Sequence, residues 1–247
     1  MNHIIVCRVN LHMDLDPSKY GVTQQYKQPG FDQDRLNLLN KYARPSIARQ
    51  KKDVFFVTLW QKGHLFSDGM LKNEIPIEIE RTGTGDDEPL DYRALGSGSS
   101  GKRELNYSDQ IADKLSQYFN APLLIGTLDV DDCLHKNFLS VLHRQIERTD
   151  FDYLSPFWWS TETRYLYDPR TGATGQKKRD SPSPFVTVWE PGPIQAYAVR
   201  YNHSYLHFEI KNGMNVKGLF GLQIVHGNNM FSKRVGDPAK IKLKEFL

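Results

Sequence analysis

The sequence predicts an α/β/α sandwich with a β-rich C-terminal half. Three observations carry that prediction. Up to Asp150, short apolar runs alternate with stretches of helical spacing, the pattern of β–α units around a buried sheet. After Asp150, aromatic strand-like pieces separated by turns take over. Between the two lies Pro122–His135, PLLIGTLDVDDCLH, an apolar run closed by Asp129, Asp131 and Asp132.

Each element has its own signal. His3–Val9 (HIIVCRV) is a first strand. Phe31–Gln50 is helical, with Phe31, Arg35, Leu38, Leu39, Tyr42 and Ile47 largely on one face, and Pro45 is expected to break or kink it. Val54–Trp60 (VFFVTLW) is apolar enough for a buried strand, and the alternating Ile75–Glu80 for a peripheral one. Thr82–Arg103, with its GSGSSG run, is expected to be a mobile loop within one domain. Ser108–Phe119 is a helix, Leu123–Leu128 a strand, and Leu134–Arg148 a helix with Leu134, Phe138, Leu142 and Ile146 on one stripe. Strand-like pieces follow at Tyr153–Trp159, Arg164–Asp168, Phe185–Trp189, Ala196–Tyr201 and Leu222–Val225, with a turn around Pro169–Gly175 and a short helix near His203.

Composition narrows the function. The 247 residues suit one domain, with residues 1–132 and 133–247 as its two halves, and 39% hydrophobic residues supply a core. With 32 basic and 29 acidic residues the net charge is +3, too mild for a nucleic-acid surface. No apolar stretch is long enough to span a bilayer, and Met1–Asn10 lacks the length and flanks of a signal peptide. Two cysteines, Cys7 and Cys133, make no disulfide framework, so a cytoplasmic setting is expected.

The chemistry concentrates on the acidic block. Residues two apart on a strand point the same way, so Asp129 and Asp131 aim together. Hard oxygen ligands at a strand end suit Mg²⁺ or Mn²⁺, and a cation there can neutralise a diphosphate leaving group. Asp132 has the plainer role of capping the next helix. A phosphatase with an aspartate nucleophile is the rival chemistry, but Cys133 stands where such enzymes carry a hydroxyl residue. Glu190 ends an apolar strand before the rigid Pro191–Gly192–Pro193 turn, as a general base or as a solvated edge glutamate. His226, followed by Gly227, is a third metal ligand, a phosphate donor or a loop histidine. Arg35 faces a ligand or forms a structural ion pair. Trp158, Trp159 and Trp189 either stack on a ligand or fill the core.

Several blocks stand in a telling order: Arg8; Phe31–Trp60, with Arg35, Pro45–Ser46 and Gln50; LDVDDCLHKNF at Leu128–Phe138; SPFVTVWE at Ser183–Glu190, then His203; and LQIVHGNNM at Leu222–Met230. The series resembles the rhamnosyltransferase family of GT-A-fold nucleotide-sugar glycosyltransferases and covers most of the chain. Phe31 stands where that family has Trp, Val9 where it has Phe, and Val130 where Asn is common. The resemblance implies a metal-dependent glycosyltransferase that moves a sugar, rhamnose at family level, from a nucleoside-diphosphate donor to an acceptor hydroxyl on a glycan. It implies Arg8, Arg35, Asp129 and Asp131 as donor-binding residues, and Asp129, Asp131 and His226 around Mn²⁺ or Mg²⁺. Glu190 and Asp131 would be catalytic, and Asn202 and His203 would face the acceptor. A carbohydrate-binding protein of the same fold without activity is the alternative.

Overall fold

The computed structural model describes residues 2–11, 28–80, 108–178, 181–200, 203, 206–225 and 237–247. The apolar run HIIVC makes β1 (Asn2–Arg8), which is buried on both faces, as its unbroken pattern demands. β1 pairs in parallel with β2 (Phe55–Gln61) on one side and β4 (Leu123–Asp129) on the other. β3 (Glu74–Ile79) lies parallel beyond β2. The second half joins the same sheet with antiparallel pairing. β8 (Val186–Glu190) runs against β4, and β6 (Phe157–Asp168) against β8. β7 (Ala173–Lys178) forms a hairpin with β6 and carries β10 (Asp237–Pro238). β9 (Gly213–Ile224) lies parallel to β6 and takes the short β5 (Asp132–Leu134). Among the described residues the sheet has ten strands in the order β10-β7-β6-β8-β4-β1-β2-β3, with β9 and β5 branching from β6.

Alternating side chains of β1 feed two cores. Ile5, Cys7 and Val9 pack under the first helical segment and under α4 (Phe138–Arg148). Ile4 and Val6 pack under α3 (Ser108–Tyr118), α5 (Tyr197–Arg200) and α6 (Leu206–Glu209). The mixed α/β architecture expected from the alternating pattern is therefore present, as one large mixed sheet with helices packed on it. Among the described residues no helix is long and apolar enough to cross a membrane.

Several elements differ from expectation. Pro45 does not break its helix, and the local departure comes just before it: α1 (Phe31–Leu38) passes through a π-helical segment (Leu39–Ala43) into α2 (Arg44–Ala48). The wider turns just before the proline accommodate its ring and its missing N–H. Leu134 belongs to β5, and α4 starts only at Phe138, with Asn137 at its N-cap position. Asp132 is thus a strand residue and not a helix cap. Phe157–Trp159 and Arg164–Asp168 belong to the single strand β6, with residues 153–156 outside it, and Tyr197–Arg200 is helical as α5. The Gly/Ser-rich stretch Thr82–Arg103 lies outside the described residues.

A buried ion pair braces the parallel half. Arg44 donates from Nε and Nη2 to both carboxylate oxygens of Glu74, at 2.8 and 2.7 Å. The Thr58 hydroxyl and the Leu71 N–H also donate to Glu74, at 3.0 and 3.1 Å. A charge pair this deep is held by its full set of partners, and removing one side leaves a buried uncompensated charge.

His3 is another buried polar group of the sheet. Its Nδ1 lies 2.9 Å from Nε2 of His143 on α4, with the two rings stacked. Burial first, and the neighbouring His143 second, push the His3 pKa down to about 3. The fold therefore holds the ring neutral, while the unfolded chain takes up its proton near 6.5. Stability is full above 6.5 and falls as the pH drops from there toward 3. Between pH 7 and 5 the His3 share of the loss is about 2 kcal/mol. Urea unfolding of the wild type and of His3→Gln at both pH values measures it: the stability difference between the two proteins should shrink by about that amount at pH 5. A difference that stays constant with pH would contradict the burial argument.

Candidate functional site

The carboxyl ends of the parallel strands bring the expected donor-site residues together. In the β1–β4 register Arg8 sits directly opposite Asp129, and Arg8 Nη2 donates to Asp129 Oδ1 at 3.1 Å. Both side chains are about one-third exposed, at 32% and 37%, so the pair is accessible and contributes little to stability. β1 is also where the strand order turns: β2 and β3 extend to one side of it and β4 to the other. In α/β sheets the crevice at such a switch point is the ligand position.

Arg35 comes to the same edge in a supporting role. Its Nε donates to the Val9 carbonyl at 2.7 Å and its Nη2 to the Arg8 carbonyl at 3.5 Å, anchoring α1 to the end of β1. It grips the backbone that carries Arg8.

The acidic block splits into three environments. Asp129 ends β4 beside Arg8; Asp131 lies in the following turn and is 8% exposed; Asp132 opens β5 and is 1% exposed. Neither carboxylate oxygen of Asp132 has a hydrogen-bond partner. Burial pushes its pKa well above the ordinary carboxylate range, and the charges of Asp131 and Asp129 push it further, while Arg164 and the Ile224 amide oppose the rise. Asp132 therefore bears the negative potential of its neighbours inside the protein. Cys133, next in the chain, is a buried thiol whose pKa is likewise raised by burial and by Asp132, so it is unreactive. Among the described residues no group of three or more His, Cys, Asp or Glu side chains is arranged to hold a metal ion.

Glu190 is not part of this edge. In the antiparallel β4–β8 register it pairs with Leu123, at the opposite end of β4 from Asp129. The strand between them spans roughly 20 Å at the usual rise per residue. The Glu190 carboxylate accepts hydrogen bonds from the backbone N–H groups of Gln195, Ala196 and Tyr197, at 2.8, 3.0 and 2.7 Å. Burial raises its pKa to about 7 even though these donors favour the charged form. Through these bonds the carboxylate fastens the Pro191–Gly192–Pro193 turn to the start of α5, away from the Arg8–Asp129 edge. His203 lies beyond that turn, between α5 and α6. Asn202 and His226 are outside the described residues. The three tryptophans fill the core: Trp159 is fully buried, and Trp158 and Trp189 donate from their indole N–H to the carbonyls of Ile210 and Tyr153.

Gln50 and Ser46 prove to be scaffolding. The Gln50 amide donates to the carbonyls of Ser46 and His135, and its Oε1 accepts from the Leu139 N–H. It thereby ties the end of α2 to the turn that leads from the acidic block into α4.

Sequence reasoning missed three residues at the same edge: Asn10, Asp32 and His64. Asn10 is buried and bridges three segments. Its Oδ1 accepts from the Gln61 N–H at 2.9 Å, and its Nδ2 donates to Asp32 Oδ1 at 2.9 Å and to the His64 carbonyl at 3.2 Å. Asp32 Oδ2 lies 2.6 Å from Nδ1 of His64. A signal was present: Asn10 lies two residues past Arg8, and His64 follows a buried parallel strand.

The chain matches no protein-family model and no curated protein.

Substituting Glu190→Gln should lower stability by about 1–3 kcal/mol, because an amide has one acceptor oxygen where the carboxylate has two, so its NH2 group would face at least one of the three backbone N–H donors. Urea unfolding reads that loss, while the backbone NMR shifts of Arg8 and Asp129 should stay where they are. Undiminished stability with moved shifts at Arg8 and Asp129 would contradict the fastening role of Glu190.

Proposed function

We propose that this chain is a metal-dependent glycosyltransferase, taking a sugar from a nucleoside-diphosphate donor and passing it to an acceptor hydroxyl. The observation that carries the reading is the pairing of Arg8 with Asp129 at the switch point of the parallel strands. A guanidinium and a carboxylate side by side there suit a diphosphate and its counter-cation. The ordered resemblance to rhamnosyltransferases supports the same class and makes a rhamnosyl donor the family-level choice.

The residues fit a hard divalent cation. Asp129 and Asp131 offer oxygen donors, and the buried, unpartnered carboxylate of Asp132 behind them marks an excess of negative potential that a cation would offset. Asp129 and Asp131 would hold Mn²⁺ or Mg²⁺. When bound, the ion supplies charge neutralisation to the departing diphosphate. Arg8 supplies a second positive charge through charge-assisted hydrogen bonds to phosphate oxygens. Arg35 keeps Arg8 in place through the backbone of β1. Glu190 belongs to the fold, so the acceptor proton leaves by another route.

Asp129→Asn and Asp131→Asn should each weaken Mn²⁺-dependent binding of nucleoside diphosphates roughly 100-fold or more, the effect of losing a charged ligand. Titration calorimetry of UDP, GDP and dTDP with and without Mn²⁺ reads the effect, with thermal melting to confirm that both variants stay folded. Wild-type affinity in either variant defeats the assignment. Metal-stimulated release of nucleoside diphosphate from a nucleotide sugar separates the transferase from a binding protein of the same fold, which would bind without turnover.

A further inference from the structure

We infer that the segment 243–247 is a strap that seats the acidic block, with Phe246 as its positioning residue. The inference rests on the metal reading of Asp129 and Asp131 and extends it to what holds those two carboxylates in place.

Three observations support it. The first is the weakness of β5 on its own. It is three residues long, and among the described residues its sheet partner is β9 alone, with Asp132 opposite Gln223, Cys133 opposite Leu222 and Leu134 opposite Gly221. It opens on the unpartnered carboxylate of Asp132, whose burial works against the strand staying in place. Asp131 lies between the end of β4 and the start of β5, so its distance from Asp129 depends on where β5 is seated. A strand this short and this costly needs a second anchor. The second observation is the ring of Phe246. It is 2% exposed, the one buried side chain among residues 237–247, and it follows a 3₁₀ turn (Leu243–Glu245). With Tyr42, Cys133, Leu222 and Ile224 it forms a small core apart from the two main ones. Side chains alternate along a strand, so Cys133 points away from the face that Asp132 and Leu134 share. Phe246 therefore props β5 from behind the carboxylate. The rings of His135 and Tyr165 meet it edge-on, with centroids 5.2 and 6.0 Å away.

The third is a backbone clasp. The Lys136 N–H donates to the Glu245 carbonyl at 2.9 Å, and the Lys136 ammonium pairs with the Glu245 carboxylate at 2.6 Å. Arg49, at the end of α2, donates to the Lys244 carbonyl at 3.4 Å. Its neighbour Gln50 donates to the His135 carbonyl, so the end of α2, the turn after β5 and the strap meet at one point. The ion pair is partly exposed and adds little by itself. The buried ring supplies the grip, and the backbone bonds fix where it is applied. The strap thus touches Cys133, His135 and Lys136, just after the acidic block, while Arg8 and β4 hold Asp129 from the other side. The two carboxylates assigned to the cation are positioned from opposite directions by distant parts of the chain.

Phe246→Ala, Phe246→Leu and, as a control that loosens the opposite end of the sheet, Glu190→Gln test the inference on the whole chain. Calorimetry reads the affinity for UDP, GDP and dTDP with and without Mn²⁺. Native-state hydrogen exchange reads the His135 and Lys136 amides, which are bonded to the Phe220 and Glu245 carbonyls, against those of β1. Phe246→Ala should cut the Mn²⁺-dependent gain in nucleotide affinity roughly tenfold or more, the usual cost of disturbing groups behind metal ligands, while affinity without Mn²⁺ stays unchanged. The two amides should exchange faster by a similar factor. Phe246→Leu, which keeps most of the site filled and the fold intact, should fall between Phe246→Ala and the wild type in both readings. Glu190→Gln should match the wild type in both. Faster exchange with an undiminished Mn²⁺ gain overturns the inference and leaves the segment a purely structural clasp. A gain lost equally in Glu190→Gln also overturns it, because general loosening then explains the loss. Unchanged exchange in both Phe246 variants removes the strap itself. No Mn²⁺-dependent gain in the wild type overturns the metal reading of Asp129 and Asp131, and this inference with it.

Discussion

The register of β1 against β4 is the constraint on which the rest depends. It sets Arg8 opposite Asp129 and, in the same alignment, Ile5 opposite Gly126. A one-residue slip would turn every β4 side chain to the other face and exchange the contents of the two cores. Gly126 helps to lock the alignment: a Cβ there would lie 2.5 Å from Ile5 Cδ1 and 3.0 Å from Thr187 Oγ1, so the strands close together only with glycine at that point. The charge pair at the edge is thus a consequence of apolar packing several residues away. Its own exposed ion-pair energy is too small to hold the strands in register.

Three buried or nearly buried carboxylates meet burial in three different ways, and the difference separates structure from candidate chemistry. Glu74 is neutralised by a two-pronged Arg44 and further hydrogen bonds, so it braces α2 against β2 and β3. Glu190 is satisfied by backbone amides and closes a turn. Asp132 has neither arrangement, although Arg164 lies close enough to offset part of its charge. A carboxylate that the fold leaves unpaired, next to two more carboxylates at a strand edge, is costly for folding alone. Such a cost is what a charged ligand offsets, and it singles out this end of the sheet over the Glu190 end.

The helical segment from α1 to α2 serves the same edge from above. Arg35 holds the backbone of Arg8 and Val9, Asp32 meets Asn10, and Gln50 ties the turn after the acidic block to the end of α2. The π-helical segment before Pro45 lets one continuous rod reach from one contact to the others. The Arg, Pro-Ser and Gln signature within Phe31–Trp60 is therefore largely a positioning device for strand ends.

By itself the sequence determined the alternation of apolar strands and amphipathic helices, the placement of β1, β2, β3 and β4 to within a residue or two, and the acidic block at the end of β4. Those features are local: burial periodicity and strand-end carboxylates are written in consecutive residues. Only the tertiary structure decided which strand ends meet. Glu190 and Asp129 both close apolar strands, and no local pattern separates them, yet antiparallel pairing of β8 with β4 sends Glu190 to the opposite end of the sheet. Asp132 carries the composition of a helix cap, but pairing with β9 drew it into a strand and buried it. Asn10, Asp32 and His64 belong to three separate segments, so their meeting is a matter of strand order, which hydrophobic periodicity does not encode.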